Sequence, residues 1–293
     1  MIRYVSNLEG TATMIIQTVD TIAALRKAVN GWRREGQTVA LVPTMGALHE
    51  AHFSLVKRAQ KLADRVVVSI FVNPTQFGPN EDYDQYPRLV DADVARLDAV
   101  GADLAFTPTS GEMYPENFRT IIEVTGLNEG LCADYRPGHF DAVAVVVMKL
   151  FMQCLPDIAV FGEKDYQQLQ VIRKMVQDLD VPVRIESAPT LREKDGLALS
   201  SRNRYLNEKE RAIAPALYKT LEQAAKELPT ARNIRTVLDQ ARQTVLDAGF
   251  RNVEYLSLCD ADDLTVLKAY QKPARLIVAA YLGKTRLIDN IEA

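Results

Sequence analysis

"TVALVPTMGALHEAHFSLVKRAQKLA", residues Thr38 to Ala63, decides how the chain is to be read. The opening "TVALVPT" is apolar and β-branched and reads as a buried strand. The closing "HFSLVKRAQKLA" carries apolar residues at helical spacing with lysines and an arginine between them, and reads as an amphipathic helix. Only "MGALHEAH" separates the two, so the unit is strand, short connection, helix, the building block of a parallel sheet. That connection holds two of the chain's three histidines, His49 and His52.

Outward from this unit the same alternation recurs. Besides Thr38 to Thr44, strands are expected at Arg65 to Val72, Asp103 to Thr107, Asp157 to Gly162 and Val183 to Ala188. "TVDTIAALRKAVNGWRREG", closing at Gly36, and "DYQQLQVIRKMVQDL" read as helices. "GHFDAVAVVVMKLFMQCL" is apolar nearly all round and reads as a buried helix, though its valine-rich centre also suits a strand. "RTIIEVTGL" is expected as a short peripheral strand. After about Thr190 the texture changes: a polar, turn-rich stretch, helical stretches from Glu208 to Leu228 and Ile234 to Ala248, then the strand-like "VEYLSLCD" and "ARLIVAAYLG". The expected fold class is α/β, a Rossmann-like parallel sheet flanked by helices over residues 1–190, with a smaller C-terminal α+β domain over residues 191–293.

Composition excludes several functions. With 25% charged and 47% hydrophobic residues, and no run near the roughly 18 apolar residues of a membrane span, the chain is expected to be soluble. "MIRYVSNLEGTATM" lacks the parts of a secretory signal, and patterned sequence begins at Met14, an alternative start. Cys132, Cys154 and Cys259 are odd in number, far apart and without a CxxC pair, which argues against disulfides or zinc and fits a reducing cytoplasm. A net charge of -3 gives no general reason to bind nucleic acid.

In open α/β sheets ligands settle at the carboxyl ends of strands, and a helix start there offers N–H groups and a positive dipole end suited to phosphate. Spaced by three, His49 and His52 share one side of a helical turn and add two donors. A zinc HExxH needs a spacing of four, so no metal site is expected; capping or surface histidines are the plain alternative. "NPTQF" puts Asn73 and Gln76 at the same edge, where an amide reads a carboxylate or hydroxyl, or else forms an ordinary turn. In "FGEKDYQQL", Gly162 permits close backbone approach, Lys164 suits phosphate, Asp165 suits ribose or orders the turn, and Gln168 shares the face of Lys164; a solvated helix start is the alternative. "LALSSRNRYL" offers the hydroxyls of Ser200 and Ser201 and the cation of Arg202, in a loop that is otherwise commonplace. In "YRPGHF", Arg136 has no assigned role and His139 is expected to be buried and structural.

"PTMGALHEAH" resembles the HxGH signature of the nucleotidylyltransferase superfamily. Together with "FVNPTQFGPNEDYDQYPR", "FGEKDYQQL" and the KMSKS-like "LALSSRNRYL", it makes the chain from about Met14 to Asn290 similar to the pantoate-β-alanine ligase family. The usual glycine between the histidines is Ala51 here. The resemblance implies ATP-dependent ligation of pantoate and β-alanine to pantothenate through pantoyl adenylate, releasing AMP and pyrophosphate. It implies ATP contacts from Met45, Gly46, His49, His52, Gly162, Glu163, Lys164, Asp165, Leu191, Leu199, Ser200, Ser201 and Arg202. His49, His52 and Lys164 would be catalytic, His52 as proton donor, and Asn73, Gln76 and Gln168 would hold pantoate. Mg²⁺ would sit on phosphate oxygens and water, with Asp91 and Asp93 either touching its water shell or serving as solvated helix charges. A cytoplasmic homodimer follows from the family, with no membrane or nucleic-acid partner. A nucleotide-binding regulator without turnover, suggested by Ala51, and a tRNA-synthetase-like fragment, which the acidic pI opposes, are the other readings.

Overall fold

The structure, a computed structural model, describes residues 4–6, 12–14, 16–79 and 81–293. The absence of a secretory signal was read from Met1 to Met14, of which residues 1–3 and 7–11 lie outside the described residues. Strands β1 (Tyr4–Ser6) and β2 (Ala12–Met14) pair antiparallel. By contacts the chain divides into two units that interleave in sequence.

The first unit comprises Met1–Glu123, Asp141–Phe161 and Met175–Ala188. Its sheet is built from β3 (Gln17–Val19), β4 (Val39–Thr44), β5 (Arg65–Ile70), β6 (Leu104–Phe106), β7 (Ile158–Gly162) and β8 (Arg184–Ala188). Their order is β3-β6-β5-β4-β7-β8, and β3–β6, β6–β5, β5–β4 and β4–β7 pair in parallel. The chain grows one way from β4 and then returns to its other side at β7, which makes this a doubly wound sheet. The helices follow from local chemistry. Thr21 caps α1 (Ile22–Arg34) by accepting from the Ala24 N–H, and the helix buries Leu25 and Val29. After β4 comes α2 (Glu50–Gln60), whose Val56 and Ala59 pack on Ala40, Val42, Val66 and Val68 of the sheet. After β5 comes α3 (Val90–Val100), which stops at Gly101 in the left-handed region and adds Leu97 to the same core. Each fully buried Val or Leu there contributes about 1.5–3 kcal/mol. A one-turn helix, α4 (Ser110–Met113), follows β6.

The second unit comprises Val124–Phe140, Gly162–Lys174 and Pro189–Ala293, so it takes in two earlier segments besides the C-terminal residues. It contains α5 (Cys132–Tyr135), while α6 (His139–Cys154) and α7 (Tyr166–Asp178) each run from one contact unit into the other. Next come α8 (Glu208–Ile213), α9 (Ala216–Glu227), α10 (Ile234–Asp247) and an antiparallel sheet of β9 (Asn252–Asp260), β10 (Ala274–Leu282) and β11 (Thr285–Glu292), ordered β11-β10-β9. Leu217 and Leu221 of α9 and Val245 of α10 share one core with Leu276 and Val278 of the sheet.

The α/β class is therefore as expected, and the valine-rich stretch is the expected helix, α6, throughout. Three details are corrected. Residues 119–127 form no strand, and their backbone runs through loop and turn. The single helix expected from Glu208 to Leu228 breaks between α8 and α9 at Pro215, which lacks the N–H to continue an α-helical ladder. His139 opens α6 half-exposed rather than buried, its Nε2 2.9 Å from Arg136 Nη1. No helix among the described residues is long and apolar enough to cross a membrane.

Candidate active site

In the first unit the site is built where β4 runs out. Thr44 donates its hydroxyl to the Ser69 carbonyl at 2.6 Å, tying the end of β4 to β5. Gly46 and Ala47 then adopt left-handed backbone, φ +82° and +51°. A side chain at Gly46 would bring its Cβ to 3.1 Å from both Asp93 Oδ2 and Ile70 Cγ2, so glycine is required there by space as well as by φ. His49 takes the N-cap of α2 in extended backbone, φ -145°. Its N–H donates to His52 Nδ1 at 3.2 Å, and the two rings lie 4.2 Å apart. Because His52 Nδ1 is an acceptor, the neutral ring carries its proton on Nε2 and presents a donor from that edge. The expected pair of imidazoles at the helix start is thus present. Ala51 lies inside the first turn of α2 and is not among the residues with positive φ, so its methyl strains no backbone.

Asn73 is fully buried and caps the 3-10 turn Pro74–Gln76. Its Oδ1 accepts from the Thr75 N–H at 3.3 Å and the Thr75 hydroxyl at 2.9 Å, and its Nδ2 donates to Gln76 Oε1 at 2.9 Å. Asn73 therefore helps orient Gln76 by holding its amide oxygen. Tyr114 reaches Thr75 Oγ at 3.5 Å, and burial pushes its phenol above the usual range, partly opposed by hydrogen bonds to Thr75 and Asn73. A cavity of about 220 Å³ opens beside the β4–α2 connection, lined among others by Met45, Gly46, Asp93 and Thr107. Asp93 is not a solvated helix charge. It is 1% exposed and both its oxygens accept backbone N–H groups of the connection, whereas Asp91 is exposed.

In the second unit Lys164 sits in the 3-10 turn Glu163–Asp165 that opens α7. Gly162 precedes it at φ -83°, a conformation open to any residue, so its use is not dihedral. Lys164 has no carboxylate or hydrogen-bond partner among the described residues, and neither has the side chain of Gln168. The glutamines on either side are spoken for: Gln167 takes the Cys132 N–H and donates to the Leu127 carbonyl, each at 3.0 Å, and Gln170 donates to the Ala261 carbonyl at 2.8 Å. Of the glutamines in "YQQLQ", Gln168 is the one left for a ligand. The serine–arginine loop is folded. Leu199 N–H pairs with the Leu191 carbonyl at 2.9 Å, and Gly196, at φ +97°, sits where a Cβ would meet the Tyr218 ring at 2.6 Å. Ser200 caps the 3-10 turn Ser201–Tyr205 by accepting from the Arg202 N–H at 3.3 Å, a structural use that sequence alone did not disclose.

Four residues that hold these turns were not singled out from sequence. Asn290 on β11 donates from one amide to the Glu163 and Lys164 carbonyls, both at 2.9 Å, and accepts from Arg275 Nη1 at 2.6 Å. Arg275 also lies 3.9 Å over the Tyr166 ring. Arg192 grips Asp289 with both guanidinium nitrogens, at 2.6 and 2.9 Å, while stacked 3.7 Å from Tyr218. Their partners lie far off in sequence, so no local spacing marks them, and β11 is not among the strands expected from sequence.

A helix start rich in N–H and imidazole donors, at the carboxyl edge of a doubly wound sheet, suits a polyphosphate and places the protein among the nucleotide-using α/β enzymes. The chain belongs to the pantoate-β-alanine ligase family, whose profile matches residues 17–292. It is 55% identical over 276 residues to a pantothenate synthetase of Paramagnetospirillum magneticum, covering 94% of this chain and 97% of that one. A crystal structure of pantothenate synthetase from Thermus thermophilus superposes with a TM-score of 0.86 at 44% identity, covering 94% and 99% of the two chains. The pantoate-β-alanine ligase of Francisella tularensis, in complex with β-γ ATP and β-alanine, superposes at 0.80 with 34% identity, covering 94% and 97%.

Proposed function

We propose the following division of labour for the reaction. The protein condenses pantoate with β-alanine at the expense of ATP. Pantoate arrives already ionised at neutral pH, so its carboxylate attacks the α-phosphorus without a base, and pyrophosphate departs. The obstacle is charge on the phosphoryl oxygens, which fixed donors offset. We assign this task to His49 and the Nε2–H of His52 at the start of α2, to Lys164, and to Ser200, Ser201 and Arg202 of the serine–arginine loop. Met45, Gly46, Gly162, Glu163, Asp165, Leu191 and Leu199 supply the remaining ATP contacts. Gln76, oriented by Asn73, and Gln168 hold pantoate. The neutral amine of β-alanine then attacks the acyl carbon of the adenylate, and AMP leaves.

The observation that carries the residue assignment is the His49 N–H bonded to His52 Nδ1, which makes His52 a donor at its other nitrogen. Mg²⁺ enters with ATP. Both Asp93 oxygens are engaged by backbone N–H groups, and the reading places the ion on phosphate oxygens and water. A cytoplasmic homodimer goes with this reading, on the family resemblance. The test is incubation with ATP, Mg²⁺, pantoate and β-alanine, each omitted in turn, with products identified by mass. Pyrophosphate should form without β-alanine but not without pantoate; formation that ignores pantoate sinks the proposal.

A further inference from the structure

The connection that carries the histidines does not hold its own shape. Gly46 and Ala47 are successive left-handed residues, and for an L-residue such as Ala47 that conformation costs about 1–2 kcal/mol. Ala47 and Leu48 are each 1% exposed, so their backbone N–H groups are cut off from water and need partners within the protein. What answers it is helix α3. Asp93 Oδ2 accepts from the Ala47 N–H at 2.7 Å and Oδ1 from the Leu48 N–H at 2.8 Å, both charge-assisted and out of water. Arg96, three residues on and on the same helix face, donates Nη1 to the Leu48 carbonyl at 2.8 Å. Both polar groups of Leu48 thus end on one turn of α3, and the next residue is His49.

We propose that Asp93 and Arg96 are positioning residues of the reaction, clamping Ala47 and Leu48 so that His49 and His52 present their ring nitrogens in one fixed direction. This rests on the reading of those histidines as donors to ATP. Both clamp residues act through the backbone that leads into the α2 N-cap. Loss of the clamp lets Ala47 leave the left-handed region, carries His49 with it and breaks the His49 N–H bond that sets the His52 tautomer.

The test uses the full chain with Asp93→Asn, which keeps the size but loses the charge and one acceptor, and Arg96→Gln with Arg96→Lys as its conservative partner. Pantoate-dependent ATP–pyrophosphate exchange gives kcat and KM. Imidazole ¹⁵N resonances report the rings directly, with His139 as internal reference, and circular dichroism reports the fold. Asp93→Asn should lose about 100-fold in kcat, the size expected of an ångström-scale misplacement, with KM for pantoate changed less than about threefold. The His49 and His52 resonances should move while that of His139 stays. Arg96→Gln should lose about tenfold and Arg96→Lys recover part of it, since one donor reaches the Leu48 carbonyl. A folded Asp93→Asn with near-normal kcat and unmoved imidazole signals overturns the proposal. If that variant does not fold, Arg96→Gln decides by the same two readouts. Should the wild type show no pantoate-dependent exchange, the functional reading fails, and the imidazole shifts alone still support or overturn the clamp.

Discussion

His52 is defined less by its position than by what its inner nitrogen does. With Nδ1 accepting from the His49 N–H, the neutral ring has its proton at Nε2, where a phosphoryl oxygen is met by a donor. His52→Ala is expected to fold and to lose about 100- to 1,000-fold in adenylation rate, the usual size for removing one such donor, read by pyrophosphate exchange. Exchange within a few-fold of wild type would remove His52 from the step. Lys164 allows a sharper contrast, because its ammonium supports nothing else among the described residues. Lys164→Ala should leave stability within about 0.5 kcal/mol by urea denaturation while adenylation collapses. Ala51 points the other way. In helical backbone at the start of α2, alanine is the better helix former, and Ala51→Gly should lower stability by up to about 1 kcal/mol.

At the scale of elements, the strands and helices legible in sequence were those whose own side chains set them: β4, β5 and β7 as apolar runs, α1 and α2 by helical spacing. Those that escaped have weak local signals. β3 is three residues long, and β11 has only three apolar residues among eight, so that "TRLIDNIE" reads as polar. The site divides the same way. His49, Gln76, Lys164 and Ser200 lie next to strand ends or helix starts, where sequence rules apply, whereas Asp93 and Asn290 act on backbone 45 and 126 residues away. Only the folded chain pairs them. Asn290 shows what such a residue does: from β11 it spans the carbonyls on either side of the turn that carries Lys164. Asn290→Ala leaves those two carbonyls and the Arg275 guanidinium short of partners in a buried place, at a cost of about 2–3 kcal/mol. A fall in Tm together with a rise in KM for ATP is the expected pair of readings. A fall in Tm without any change in KM would confine Asn290 to structure.

For the whole molecule, the pH limits of stability follow from groups in both units. On the acid side, the Thr38 N–H and hydroxyl hold Asp64 below the usual carboxylate value of 3.8, and hydrogen bonding from Arg211 does the same for Asp195. Their contribution is complete above 3.8 and is lost as pH falls through the lowered folded values, but both are open to solvent and the effect is small. The alkaline side is steeper. Cys154 of the first unit and Cys259 of the second are buried free thiols, each pushed by burial from about 9 up to about 12. Above pH 9 the unfolded chain releases these protons and the folded one keeps them. Stability therefore declines as pH rises between about 9 and 12, by up to about 1.4 kcal/mol per pH unit for each thiol. Lysines and tyrosines titrate in the same range, so the difference between wild type and variants carries the information. Cys154→Ala and Cys259→Ala should each start less stable at pH 8 and lose stability less steeply up to pH 10.5, converging on wild type in urea midpoint. Because each thiol lies in the core of a different unit, separate transitions would assign each change of slope to its own half of the chain. Parallel midpoint curves for wild type and both variants would show that the buried thiols do not govern the alkaline limit.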